Sequence, residues 1–250
     1  MNRRLLFIIF VALSLHSCQE LHPVCSILKD GVYPFPELPK GHGLSMEDRT
    51  RFLDLPKPVC QCLSTEGLIE TCLNYPELRL IMAGANPQSG YNLLVKERFL
   101  GIRELEKRPD RGSALLKKYQ SMDPLGFDPD WDTLTIGRYN FNIYFTEIIF
   151  SQYINLQPLA ELEKIELLEN AISIYEMRRS EYSYFHLWGL EVTATLLGRL
   201  MILNDFQPMK NAYAADYWVR ELIDFYGPTK FEVVELIYEL SKQYLEQIKK

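Results

Sequence analysis

The run Ser183-Tyr184-Phe185-His186-Leu187-Trp188-Gly189-Leu190-Glu191-Val192-Thr193-Ala194-Thr195-Leu196-Leu197-Gly198-Arg199-Leu200-Met201-Ile202-Leu203 is apolar on nearly every side. A helix that is greasy all round is a core helix or a membrane span. Glu191 and Arg199 lie inside the run, and intramembrane charge is costly, so the sequence predicts the central buried helix of a globular domain. Glu191, Thr195 and Arg199 fall at i, i+4 and i+8 and make one polar stripe. That stripe is either an internally satisfied seam or the floor of a polar groove. His186 does not share it, because five residues turn a helix about 140° away.

Working outward, helices are expected at about 210–225 and 229–248, separated by Gly227-Pro228. Upstream, Pro158 to about Arg179 carries the apolar face Leu162, Ile165, Leu168, Ala171, Ile172 and Met177, and the acids Glu161, Glu163, Glu166 and Glu169 suit a solvated helix N-terminus. Phe141 to Gln152 reads as another helix, whereas 123–140, rich in Pro, Asp and Gly, breaks the pattern. Shorter helical pieces precede it. Ser64 is placed to cap a helix running to Tyr75, with Leu63 and Leu68 at staple positions. Leu78–Ala83 ends at Gly84, Asn86-Pro87-Gln88-Ser89 turns into a helix from about Gly90 to Leu100, and two more pieces run to Arg108 and from Pro109 past Tyr119. No stretch alternates as a strand does. The expected fold is all-α: an irregular helical-hairpin bundle or short solenoid-like array, preceded by an export signal and a Pro-rich arm. The expected divisions are 1–17, 18–57 and 58–250.

The export signal is read from Met1-Asn2-Arg3-Arg4 followed by the apolar run Leu5–Leu13. That run falls short of the ~20 residues a spanning helix needs, and it leads into Leu15-His16-Ser17-Cys18, which resembles the bacterial lipobox. The resemblance implies cleavage before Cys18 and acylation of its thiol and amine. Multiple chains would anchor the domain stably without a transmembrane segment. The expected location is the cell envelope, lipid-anchored to the outer membrane with the domain outside the cytoplasm. Loss of Arg3 and Arg4 with the signal leaves 25 basic against 33 acidic residues, a balance that argues against nucleic acid.

Four further cysteines, Cys25, Cys60, Cys62 and Cys72, lie in the first third of the chain. In an oxidising compartment they suit disulfides. Cys60 and Cys62 are too close to pair with each other, so Cys25 is expected to bridge to one of them and Cys72 to the other. A Cys60-x-Cys62 metal site lacks the usual two-residue spacing.

The segments Leu63–Pro76 and Phe99–Asp110, the latter followed by Leu115-Leu116-Lys117-Lys118-Tyr119, resemble exported proteins and lipoproteins of Bacteroidetes-type bacteria. The resemblance covers roughly residues 58–155. It implies an exported helical protein and carries no assigned activity and no catalytic residue.

Chemistry-bearing candidates are few. Asp128, Asp130 and Asp132 alternate on a loop and are the candidate ligands of a weak calcium site, but an EF-hand loop starting at Asp128 would need Gly at its sixth position and Glu at its twelfth, where Thr133 and Tyr139 stand. No Gly-flanked nucleophile or phosphate loop is present, and the histidines of the mature chain, His22, His42 and His186, are scattered. The expected role is therefore non-enzymatic: an interaction or scaffold lipoprotein whose partners are the bilayer, through Cys18, and an envelope protein, with no cofactor. The alternatives are a glycan- or peptide-binding lipoprotein presenting Trp131, Tyr139, Tyr144 and Trp218, and an enzyme whose site is assembled between helices around Glu191, Arg199 and His186.

Overall fold

Asp and Ser caps, Pro stops and apolar stripes divide the chain into helices of unequal length, as the computed structural model of the protein shows for residues 23–39, 43–128, 130–227 and 229–250. Cys18, His22 and His42 lie outside the described residues. In chain order the α-helices are α1 (Met46–Phe52), α2 (Lys57–Cys60), α3 (Thr65–Leu73), α4 (Pro87–Ser89), α5 (Leu100–Leu105), α6 (Arg111–Gln120), α7 (Thr133–Phe150), α8 (Tyr153–Leu156), α9 (Glu161–Ser180), α10 (Tyr182–Leu203), α11 (Gln207–Ala215), α12 (Tyr217–Phe225) and α13 (Phe231–Ile248). Short 3₁₀ segments at Pro23–Ile27 and Leu78–Ala83 and a π-helical stretch at Gly90–Lys96 complete them. Among the described residues the only strand-like pairing is an isolated bridge between Lys29 and Val32. The fold is all-α.

The sequence-predicted central helix is α10. Leu190, Val192, Leu196, Leu197, Leu200 and Met201 are fully buried or nearly so, and α10 packs on α7, α9 and α13. Among the described residues no helix is long and apolar enough to cross a membrane. His186 interrupts α10 with φ 53° and ψ −174°, a region that is normally glycine's. One apolar core runs from Leu53 to Tyr244.

Three expectations are corrected. Within the arm expected to be irregular over 18–57, residues 46–52 form α1: Ser45 caps it by accepting from Asp48 N at 3.1 Å, and Leu53 and Leu55 enter the core. Residues 23–39 of the arm are docked as well, with Val24, Leu28, Tyr33, Phe35 and Leu38 packed against the core. The arm's turn at Asp30-Gly31 has positive φ at both residues and rests on Gly67 of α3, where a Cβ would overlap the Gly31 carbonyl. The expected single helix over 210–225 is two, because Asp216 is extended (φ −112°, ψ 122°) and caps α12 through Trp218 N. Helix α7 begins at Thr133, not Phe141. Asp132 caps it, accepting from Leu134 N at 3.0 Å and Thr135 N at 3.1 Å.

The longest helices are joined by a buried ion pair. Arg178 of α9 donates to Glu147 of α7 at 2.7 Å, with neither side chain exposed. Further bonds surround the pair: Arg178 Nη1 also donates to Gly189 O at 3.0 Å and Thr193 Oγ1 at 2.5 Å, while Thr193 and Tyr119 donate to Glu147 Oε1 at 2.9 and 2.6 Å; Arg178 Nε and Nη2 are buried without a partner among the described residues. The Arg178 Cζ lies 4.8 Å from the Tyr144 ring centroid. Burial, the largest single influence, opposes the charge on Arg178, but the Glu147 carboxylate together with the Tyr119 and Tyr144 phenols outweighs it, so the guanidinium pKa is raised. Burial, then the same carboxylate, pushes the Tyr119 phenol well above its ordinary range and keeps it a donor. Removing one member of such a pair leaves a dry, uncompensated charge. Glu147→Gln or Arg178→Met is therefore expected to lower unfolding free energy by roughly 3–5 kcal/mol in urea titrations, whereas Tyr119→Phe costs about 1–2 kcal/mol; a loss below ~1 kcal/mol for either charge variant would contradict this role.

Candidate functional site

Helix α7 has two environments. Its C-terminal half, from Ile143 to Phe150, is buried and carries Glu147. Its N-terminal half leaves Leu134 66% and Phe141 42% exposed. Leu134, Arg138, Phe141 and Phe145 recur at i, i+4, i+7 and i+11 and so share a face. Facing them across an open groove of about 1180 Å³ are Leu73 and Asn74 at the end of α3 and Arg79, Leu80, Met82 and Ala83 of the 3₁₀ segment. Met82 is 43% exposed.

Two details distinguish this groove from an ordinary surface dip. Gly137 lies in its wall, and a Cβ built there meets nothing within 4 Å; glycine in a helix interior costs about 1 kcal/mol relative to alanine, yet here no neighbour within the described fold requires the missing side chain. Arg79 and Arg138 both line the groove and have no hydrogen bond or ion pair with any described residue. The lining contains no Asp, Glu, His or Cys, so it offers no general acid, base or thiolate. The lining presents apolar contact surface and two positive charges.

A smaller concavity of about 660 Å³ lies between α1 and the start of α5. Its polar groups are largely occupied within the fold. Arg51 pairs with Glu47 at 2.9 Å, Asp54 accepts from Leu100 N at 2.7 Å, and Arg103 donates to the Lys96 carbonyl at 3.2 Å.

The sequence-predicted stripe on α10 is a seam rather than a groove floor. Glu191, Thr195 and Arg199 are all buried and face α12 and the loop after it. Thr195 donates to Glu191 O at 2.9 Å; Arg199 Nε donates to Ile223 O at 2.8 Å, and its Nη2 donates to Gln88 Oε1 at 2.7 Å and Asp224 O at 3.2 Å. Arg199 thereby joins α4, α10 and α12. Among the described residues Glu191 pairs with no cation, and it accepts from Thr229 N at 3.3 Å. Burial raises its carboxyl to about 7. His186 is exposed at the break in α10.

The aspartates are turn and cap residues. Asp128 Oδ1 accepts from Asp130 N at 2.9 Å, Asp132 caps α7, and no cluster among the described residues could hold a metal ion. Cys25 and Cys62 form a disulfide, with Cα atoms 5.5 Å apart. The second expected bridge does not form: Cys60 and Cys72 are buried free thiols, and burial raises both pKa values, which keeps them protonated and unreactive. Of the four aromatics, Tyr144 is buried against Phe127, Phe185 and Trp188 and Tyr139 donates to Asp123 O, so they do not form one exposed platform. Trp131 and Trp218 are exposed. The groove itself was not foreseen; the exposed apolar residues at helical spacing, Leu134 and Phe141, are the signal that marks it.

No family model, curated protein or solved structure matches the chain.

Because unfolded Glu191 ionises near its ordinary value of 4.5 and the folded carboxyl near 7, the folded state binds the extra proton between those values. Stability therefore falls as pH rises from about 4.5 through about 7, by on the order of 2 kcal/mol. Glu191→Gln is expected to match the parent chain at pH 4 and exceed it by that amount at pH 8 in urea unfolding; a difference independent of pH would refute this assignment.

Proposed function

We propose that the chain is a bacterial lipoprotein, anchored through Cys18 in the cell envelope, whose helical domain acts as a non-enzymatic interaction protein. The observation that carries this reading is the α7 groove: an apolar, open concavity with unpaired arginines and no residue suited to acid–base or nucleophilic chemistry. Exposed contiguous apolar surface rimmed by polar groups marks interaction sites. The anchor rests on the residues at the start of the chain, Arg3-Arg4, the apolar run and Ser17-Cys18. The Cys25–Cys62 disulfide supports an oxidising compartment, and the acidic balance of the chain disfavours nucleic acid as the partner.

The open space at Gly137 provides a clean test. Gly137→Leu fills the groove while improving helix propensity by up to about 1 kcal/mol, so folding and binding respond in opposite directions. Lipidated full-length protein recovered from its native envelope should retain a stoichiometric protein partner. Gly137→Leu should lose at least tenfold of it with an equal or higher Tm, and Cys18→Ala should lose the membrane attachment. Equal partner recovery with Gly137→Leu, or no partner with the parent chain, would overturn the interaction reading.

A further inference from the structure

Resting on that reading, the geometry points to the occupant of the groove: we infer that it receives an amphipathic α-helix of a protein partner with acidic residues flanking its apolar stripe.

The shape of the walls selects a helix. One wall is α7 and the other is the end of α3 with the 3₁₀ segment Leu78–Ala83. These elements satisfy their backbone groups internally, so an extended peptide laid between them would lose water from its N–H and C=O groups without gaining ladder partners. A helix brings its own hydrogen bonds and needs only side-chain contact, the helix-in-groove mode. The stripe Leu134, Arg138, Phe141, Phe145 is the ridge such a helix packs against. It extends over about 16 Å at 1.5 Å per residue, or three turns of a partner. Gly137 sits within this stretch with open space above it, allowing the partner's backbone to approach closely.

Charge selects acidity. The chain is acidic overall, with a formal net charge of −6, yet the groove lining holds two arginines and no carboxylate. Most other arginines are used within the fold: Arg49, Arg51, Arg178 and Arg179 in ion pairs, and Arg103, Arg111, Arg199 and Arg220 on backbone carbonyls. Arg79 and Arg138 have no such partner among the described residues. Placed beside apolar contact surface, they would favour Glu or Asp on the incoming helix and repel Lys or Arg.

The test uses the full lipidated chain in phosphatidylcholine nanodiscs and three fluorescent helical peptides. The peptides share leucines at i, i+4, i+7 and i+11 and carry Glu, Gln or Lys on the flanks; empty nanodiscs are the blank. The Glu peptide should bind about tenfold tighter than the Gln peptide, with the advantage shrinking as salt rises. The Lys peptide should bind weakest. Arg79→Glu/Arg138→Glu should reverse the order, and Gly137→Leu should weaken all three. Equal binding of the three peptides, or preference for the Lys peptide, would overturn the acidic-helix assignment. So would tight stoichiometric binding of dodecanoate without peptide binding, or self-association of the chain that Gly137→Leu abolishes. If Gly137→Leu still releases the native partner in those cases, the interaction reading stands and only the partner's chemistry is wrong.

Discussion

Burial of Glu147 against Arg178 constrains the rest of the molecule. A carboxylate and a guanidinium removed from water are costly unless the pair is close and hydrogen-bonded; here Tyr119 and Thr193 donate to the carboxylate and the Gly189 carbonyl and Thr193 accept from Arg178 Nη1, while Arg178 Nε and Nη2 are left without a partner among the described residues. Four helices, α6, α7, α9 and α10, each contribute to that knot. Their relative positions are therefore set more tightly than leucine packing alone would set them. A second polar knot, at Arg199, ties α10 to α12 and to the turn at Gln88. Between the two knots, α10 is held along its buried length.

This arrangement explains why one half of α7 is free to form a surface. Its buried half is fixed by Glu147 and by Ile143, Ile148 and Phe150 in the core. Its other half, started by the Asp132 cap, packs Ile136 and Tyr139 against the small cluster of Phe127, Tyr144 and Phe185 and turns Leu134 and Phe141 toward solvent. A wall that needs no rearrangement on binding loses little conformational entropy there, which is the advantage of a preorganised interface. The groove is therefore continuous with the core: Phe145 belongs to both, and Leu73 and Leu80 pack against the core from its other wall.

The core was legible in the sequence because burial leaves a helical period. Residues 183–203 and 229–248 advertise their helices through apolar side chains, and Ser64 and Asn86 mark helix starts by their capping chemistry. The N-terminal half of α7 was illegible for the opposite reason. Leu134 and Phe141 face outward, Gly137 and two threonines lower its helix propensity, and the Asp-Pro-rich approach reads as a continuing loop. The polar stripe on α10 showed where charge would sit, but not that α12 would cover it. Cysteine spacing identified Cys25 as paired with one of two neighbours; the choice of Cys62, and the burial of Cys60 and Cys72 as thiols, depended on tertiary positions that spacing does not encode.

The central claim is that the exposed face of α7 is where this protein meets its partner. The most direct measurement is site-specific photocrosslinking in intact cells, with benzoylphenylalanine at Leu134 in the groove and, separately, at Leu162, which is 74% exposed and outside the groove lining. A partner seated on α7 gives one dominant protein adduct from position 134, absent from position 162, whose crosslinked segment is helical with acidic flanks. No adduct at 134, or the same adducts from both positions, would contradict it.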